Sequence, residues 1–404
     1  MKIYLIGNYL PDRQESMIRF TRILSEGLSA YGHSILIIFP EEILGKFTFK
    51  LPKFTKWLRY IDKYIIFPWK LRSIAKNSSS DSIFHICDHA NSIYSSALKG
   101  VAHLVTCHDM LAIRGSMGDA TTYCFASRMG IILQKWILYS LRQIPYIACV
   151  SKYTFEDLKK FLCKNKLKSE LFIVPNSLNA NFVPVKREES QKILLQFLGE
   201  QITHPFLLHV GSAHVRKNRM LLVQTLMHLS NAWNVVFAGE GMSAEELNYI
   251  LKTGFKDRVK VFLKPKHDEL CALYSAAHAL VFPSWSEGFG WPVIEAQACG
   301  CPVVCSNLTS LPEVAGEAAI FIPADDPRAC ADAVIQLQKP QIRQKFVNKG
   351  FQNTKRFSLD QFIESYEYIY NETLANHNLM KNQKNRINLA LFRKNQDIES
   401  NEQS

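Results

Sequence analysis

Residues 278–306 read HALVFPSWSEGFGWPVIEAQACGCPVVCS, and the fold class turns on this stretch. The apolar run ALVF breaks at Pro283, and a polar elbow with Gly288 and Gly290 follows. Pro292 then opens a run of small and apolar residues. Proline suits the first turn of a helix, where its missing N–H is not needed. A second apolar run, CPVVCS, comes directly after. Strand, elbow, helix and strand in that order indicate a mostly parallel sheet with helices on both faces.

The alternation continues in both directions. AAIFIP (318–323) lies downstream; FLLHVG (206–211), WNVVFAG (233–239) and VKVFL (259–263) lie upstream. Helices are expected over 221–229, around Glu245, and over 268–276. The first half repeats the pattern with KIYLIG, SILIIF, SIFHIC, AHLVTCHD, YIACVS and LFIVPNS. Its helices are expected at 17–31, where Phe20, Leu24 and Leu28 are four apart, at 126–142 and at 152–163. The class is α/β. A chain of 404 residues exceeds one hydrophobic core, and the mixed stretch 178–204, containing KREESQK, is the expected place for a boundary. The expected division is 1–185, 186–356, a late helix 357–375 and a polar flexible tail 376–404. Ligands of such sheets bind beyond the carboxyl ends of the strands. Gly7, Asn8, His108, Asp109, Gly211, Gly239–Gly241 and Ser284–Gly290 all fall there.

Composition narrows the function. No apolar run approaches the roughly 20 residues of a membrane span, and MKIYLIGNYLPDRQ reads as a first strand, not a signal peptide. Ten cysteines lack paired metal-like spacing and read as reduced, buried side chains of a cytosolic protein. The net charge is +12, concentrated over 46–76, where nine Lys or Arg accompany the single acid Asp62 among many aromatics. That mixture suits an anionic membrane surface; a solvated loop with core anchors is the plainer reading. No nucleic-acid recognition motif accompanies it, so nucleic acid is not an expected partner.

Arg216 and Lys217 lie between a strand and a helix, where a guanidinium fork, an ammonium and backbone N–H groups can hold phosphate oxygens. GEG (239–241) and GNYLPD (7–12) do not make a dinucleotide fingerprint, and there is no Walker A sequence. NAD, FAD and P-loop chemistry are therefore disfavoured. Glu287 and Glu295 are eight apart, a spacing that arises by chance among 36 acids. Their setting separates them, with Glu287 in the elbow and Glu295 a turn inside the helix. Gly288 and Gly290 admit a polar ligand to the backbone. Carboxylates accepting from hydroxyls, with cations opposite, describe a site for a sugar joined to phosphate. Each residue also has an ordinary reading: Lys217 as a surface lysine, Glu287 as a solvated acid, Glu295 as a helix-dipole acid, and His108 as a hydrogen-bonded strand-end histidine.

FPSWSEGFGWPVIEAQACGCPVVCSNLTSLPEVAGEAAIFIPADDP (282–327), HVGSAHVRKN (209–218), VTCHD (105–109) and VPNSL (174–178) together resemble the retaining glycosyltransferases of family 4. The resemblance touches positions from about 101 to 330. It implies the GT-B fold, two Rossmann-like domains facing a central cleft, with the late helix crossing back to the first. It implies an enzyme moving a hexose from a nucleotide-diphosphate sugar to a hydroxyl of a glycan or lipid-linked acceptor, without a metal or cofactor. GDP-mannose or a UDP-sugar is the implied co-substrate. The expected location is cytoplasmic, with the segment 46–76 as the expected peripheral contact to the inner face of the plasma membrane. By the same resemblance Glu287, His108, Arg216 and Lys217 are the catalytic set. Glu295, Gly288, Phe289, Gly290, Gly211 and Gly239 bind the donor, Glu295 through the ribose. The chain departs from the pattern at Ser212 and Ala213, where relatives carry arginine. Lys264 stands where many have glycine, and GNYLPDRQESM replaces the glycine-rich acceptor loop. A nucleotide-sugar epimerase or hydrolase, and a non-catalytic nucleotide-sugar binder, are the other function classes.

Overall fold

The computed structural model describes residues 1–47, 52–162, 169–198 and 204–401, with side chains described except at 52–54, 198 and 384–401. Two six-stranded sheets form its frame, and every strand pairing is parallel. The first holds β1 (Lys2–Ile6), β2 (Ser34–Ile38), β3 (Ser82–Ile86), β4 (Ala102–Cys107), β5 (Tyr146–Cys149) and β6 (Glu170–Ile173) in the order β2-β1-β3-β4-β5-β6. The second holds β7 (Phe206–Gly211), β8 (Asn234–Gly239), β9 (Val259–Leu263), β10 (Ala279–Phe282), β11 (Val303–Ser306) and β12 (Ala319–Ile322) in the order β12-β11-β10-β7-β8-β9. In each sheet the strand order reverses once, between β1 and β3 and between β7 and β10. Such reversals open crevices beyond the carboxyl ends of the strands, where crossover helices part to opposite faces.

Both faces of each sheet are covered. Ile3 and Leu5 enter one apolar cluster, and Tyr4 and Ile6 enter the cluster on the other face. Ala279 and Val281 divide from Leu280 and Phe282 in the same way. Two-sided burial explains the continuous apolar runs in sequence, and each fully buried Ile, Leu or Phe contributes about 2 kcal/mol.

Three segments are more helical than the sequence suggested. The mixed boundary stretch contains the helix Arg187–Leu198, which buries Ser190 and Leu194. Pro327–Gln336 and Pro340–Thr354 form two helices where none was expected. The basic segment is helical over Pro52–Ile61 and Phe67–Lys76, joined by a wider turn at Asp62–Ile66; residues 48–51 of that segment lie outside the described residues.

The last helix, Leu359–Asn401, runs through the stretch expected to be a tail, because no glycine or proline interrupts it. Its buried stripe of Phe362, Ile363, Tyr366, Ile369 and Tyr370 packs on the first sheet. The Tyr366 and Tyr370 hydroxyls bond Thr106 and His85, each at 2.8 Å. The chain therefore passes between the sheets twice, after β6 and before Leu359. The Leu178 N–H donates to the Phe357 carbonyl at 3.2 Å, tying the two passages together.

Candidate active site

The reversal between β7 and β10 places the loop after each strand side by side. After β7, Val215–Lys217 forms a tight turn ended by Asn218, whose φ of 52° lies in the left-handed region. The Asn218 side-chain amide donates to the Pro283 and Ala324 carbonyls at 3.2 and 2.6 Å, fastening this turn to the β10 loop. Arg216 and Lys217 consequently face Glu287. Lys217 Nζ is 2.6 Å from Glu287 Oε1, and an Arg216 guanidinium nitrogen is 2.9 Å from Oε2. Arg216 also donates to the Ser286 carbonyl at 3.0 Å, and Lys217 Nζ lies 4.9 Å from the Phe282 ring centroid.

Glu287 is buried and its two cations are half-buried, so the charges are poised against one another. Burial alone would raise the Glu287 carboxyl, but the Arg216 and Lys217 charges outweigh it and hold the pKa at about 2. Burial pushes the Lys217 ammonium down against the pull of Glu287.

Glu295 lies elsewhere. In the helix Trp291–Ala298, which Pro292 opens as expected, its oxygens accept from Tyr274 Oη at 2.8 Å and Asn179 Nδ2 at 2.5 Å. Burial raises its pKa, opposed by those two donors. The structure thus brings Glu287 together with Arg216 and Lys217 and leaves Glu295 in a separate polar pocket of its own.

Across the cleft, the elbow rests on the first sheet. A β-carbon built on Gly288 would stand 1.9 Å from the His108 carbonyl oxygen, so only glycine allows this approach. The Gly288 carbonyl accepts from Ser151 Oγ at 2.8 Å. The Glu313 carboxylate accepts from the Lys152 and Tyr153 backbone N–H groups at 2.8 and 3.3 Å. It caps the helix Lys152–Leu162 from the opposite half. Tyr123 and Trp285 stack between the halves with centroids 5.8 Å apart. Gly290 has a φ of 107°, and Phe289 is buried against Phe357 at 5.7 Å between ring centroids, an anchor for the elbow. Gly211 and Gly239 are register partners at the ends of β7 and β8, and a β-carbon on Gly239 would lie 2.6 Å from the Gly211 carbonyl oxygen. Lys264 takes a left-handed φ of 47°, filling a glycine-like position with a lysine.

His108, at the end of β4, is buried and donates from Nε2 to the Cys87 carbonyl at 2.8 Å. A carbonyl only accepts, so the neutral ring carries its proton on Nε2 and its lone pair on Nδ1; burial lowers its pKa and favours that neutral form. Asp109 caps the next turn through Leu111 N at 2.9 Å. Sequence reading missed Asp88, which follows β3 beside it. Asn8 donates to Asp88 at 2.6 Å, and His89 lies 3.3 Å away. Burial would raise the Asp88 carboxyl, but His89 and His108 lower it. A carboxylate directly after a strand, in SIFHICDHA, was the available signal. Tyr274, Asn179, Ser151 and Glu313 had none, because their partners are distant in sequence.

The nine described cysteines are free, eight of them buried; Cys163 lies outside the described residues. Among the described residues no group of three or more His, Cys, Asp or Glu is placed to hold a metal ion, and no helix is long and apolar enough to cross a membrane.

With this geometry in hand, the second half matches the family described as Glycosyl transferases group 1 over residues 204–339. Residues 204–339 are a glycosyl transferases group 1 domain. The triad of Arg216, Lys217 and Glu287 lies inside this group 1 domain. The chain is 28% identical to the O-antigen chain mannosyltransferase B of Escherichia coli over 248 residues, 59% of this chain and 64% of that protein. It is 26% identical to the O-antigen chain mannosyltransferase RfbU of Salmonella typhimurium over 56% of this chain and 62% of that one. The matched region thus spans under two thirds of these relatives' length. Among solved structures, sucrose-phosphate synthase from Thermosynechococcus elongatus superposes with a TM-score of 0.72 at 19% identity, over 93% of this chain and 99% of that one. Anabaena HepE in complex with UDP and glucose gives 0.69 at 12% identity, over 91% and 99%. The group 1 domain and the first sheet together therefore have the GT-B fold.

Proposed function

We propose that this protein is a retaining glycosyltransferase that moves a hexose from a nucleotide-diphosphate sugar to a hydroxyl of a glycan or lipid-linked acceptor. Residues 1–185 serve as the acceptor side and 186–356 as the donor side. The observation that carries the reading is the Arg216–Lys217–Glu287 triad at the β7/β10 crevice, facing His108 across the Gly288 contact. The two mannosyltransferase relatives favour a mannose donor, whereas the HepE complex holds UDP and glucose.

In this reading the donor diphosphate displaces Glu287 as partner of the two cations. Glu287 then accepts from the sugar hydroxyls, with the backbone of Gly288, Phe289 and Gly290 alongside. The bond from the sugar's anomeric carbon to the diphosphate oxygen breaks, and its electron pair leaves on that oxygen, where Arg216 and Lys217 neutralise the growing charge. The acceptor oxygen bonds to the same face of the carbon, and its proton passes to the departing phosphate. His108 Nδ1 accepts from a sugar hydroxyl, Glu295 contacts the ribose, and Gly211 and Gly239 leave room for the donor. Burial between the halves keeps water from the donor. No metal or cofactor enters this scheme.

The test incubates the full chain with a panel of GDP- and UDP-sugars and membrane-extracted acceptors, reading released nucleotide, product mass and anomeric configuration. Acceptor-dependent release with retained configuration is expected. Release without acceptor would instead mean a hydrolase, an altered sugar still joined to its nucleotide an epimerase, and binding without turnover a non-catalytic protein.

A lipid-linked acceptor agrees with the outer face of the first half, which we read as resting on an anionic bilayer at the inner face of the plasma membrane. Trp57, Ile65 and Trp69 are exposed, Trp69 by 78%. Met129, Ile132, Trp136 and Tyr139 continue the face as one exposed stripe of the helix Arg128–Leu141, with Trp136 5.9 Å from Tyr64 between ring centroids. Asp62, the only acid of 46–76, is turned inward at 1% exposure and accepts from the Ile43, Leu44 and Gly45 N–H groups. The outward surface is left to aromatics and cations. Replacing Trp69 and Trp136 together with alanine is expected to weaken sedimentation with phosphatidylglycerol vesicles by about tenfold; unchanged binding would remove the membrane reading.

A further inference from the structure

A second concentration of positive charge lies at the opposite end of the first sheet. A cavity of about 420 Å³ opens against Ser82 and Ala102, the first residues of β3 and β4, whereas the cleft lies beyond their carboxyl ends. Arg72, Lys76, Lys99 and Lys381 line it, together with His377 and the serine run 78–80. Among the described residues no aspartate or glutamate lines it, and none of these four cations forms an ion pair. Their neighbours on the same segment behave differently: Arg59, Lys63 and Lys70 pair with Glu42, Asp12 and Glu41 at 2.6–2.9 Å. Like charges gathered around one concavity repel one another and focus their field into it. Among the described residues no carboxylate supplies their counter-charge.

We propose that this cavity binds a phosphate-bearing anion, a phosphomonoester or diphosphate, at a site separate from the cleft. Three elements distant in sequence build it: the helix Phe67–Lys76, the turn before β4, and the last helix. Ser80 adds a neutral hydroxyl donor at the rim, whereas the Ser78 hydroxyl already donates to the Ala75 carbonyl and Ser79 pairs with Ser82, each at 2.8 Å. The His377 ring, held to the Gly100 backbone, lies beside the cations; burial lowers its pKa and Lys381 lowers it further, effects that a bound anion would oppose. Trp69, Arg72 and Lys76 are spaced i, i+3 and i+7 along one stripe of their helix. A lipid phosphate at the bilayer surface and a soluble phosphate ester are thus both within the site's chemistry.

Hydrogen–deuterium exchange on the full chain, with inorganic pyrophosphate as probe, tests the site by location. Protection is expected in peptides covering 76–82, 99–102 and 377–381, and it should persist in Lys217→Ala, which removes the cleft's own cation. In a Lys99→Ala/Lys381→Ala variant the pyrophosphate concentration for half-protection should rise at least about tenfold, with protection at 209–218 unchanged. Phosphatidate vesicles protecting these peptides where pyrophosphate does so only weakly would support a lipid phosphate as the ligand; the reverse would support a soluble one. Absence of protection with both probes, or equal protection in the double variant, would overturn the proposal. Sugar transfer measured alongside is a separate readout, so the catalytic reading stands or falls independently.

Discussion

Lys217→Ala is expected to lower kcat/KM for sugar transfer by about 10²–10³-fold, the scale found when one preorganised donor to a developing oxyanion is removed. Before donor binds, Lys217 is held at the crevice by its ion pair with Glu287 at 2.6 Å, so its charge already stands where the diphosphate is to be received. A steady-state assay with saturating acceptor checks this, and an unchanged kcat/KM would remove Lys217 from the chemistry. The same substitution tests the electrostatics of the folded chain. Glu287 has its pKa lowered from 4.5 to about 2, so between those values the unfolded chain binds more protons than the folded one. Stability from this group is complete above the ordinary carboxylate value and is lost as pH falls through about 2, a total of about 3 kcal/mol. Denaturant titrations across that window should show the slope in the wild type and a shallower one in Lys217→Ala.

Gly288→Ala is expected to reduce transfer by about 100-fold or more, because a displacement of about 1 Å at a reacting centre costs that much. The added methyl would meet the His108 carbonyl oxygen at 1.9 Å and the Asp109 β-carbon at 2.7 Å. The halves must part, which also breaks the Ser151 bond to Gly288. Small-angle scattering should register a larger radius of gyration, at a stability cost of about 1–3 kcal/mol. Gly241→Ala is the control, since its β-carbon would meet only Leu263 at 3.8 Å. A Gly288→Ala protein with full activity would mean that the elbow need not touch His108.

The strands were legible in the sequence because burial on both faces makes them continuous apolar runs. The helix Arg187–Leu198 was not, since REESQK begins it with polar residues and, among its described side chains, only Ser190 and Leu194 are buried. Pro340–Thr354 is similarly polar, burying only Gly350 and Asn353. In the site, Arg216, Lys217, Glu287 and the opening of the helix at Pro292 could be located from strand ends and turn residues. Their pairing could not, because 70 residues separate Lys217 from Glu287 and only the β7/β10 adjacency joins them. For Glu295 the sequence suggested a ligand contact, while the structure adds Asn179, 116 positions away, and Tyr274 as protein partners. The inward turn of Asp62 is likewise a tertiary fact, and it makes the basic segment more one-sided than its composition suggested.

The bond between Leu178 and Phe357 bears on how the cleft can open. The second half is in effect an insertion into the first, entered and left through two adjacent strands of chain. A door hung on two straps side by side swings about the line through them and resists twisting. Opening to admit a donor should therefore be a rotation about one axis near Leu178 and Phe357. The Gly288–His108 contact lies beside this axis, because the adjoining Phe289 packs on Phe357, so opening displaces it least and the outer ends of the cleft most.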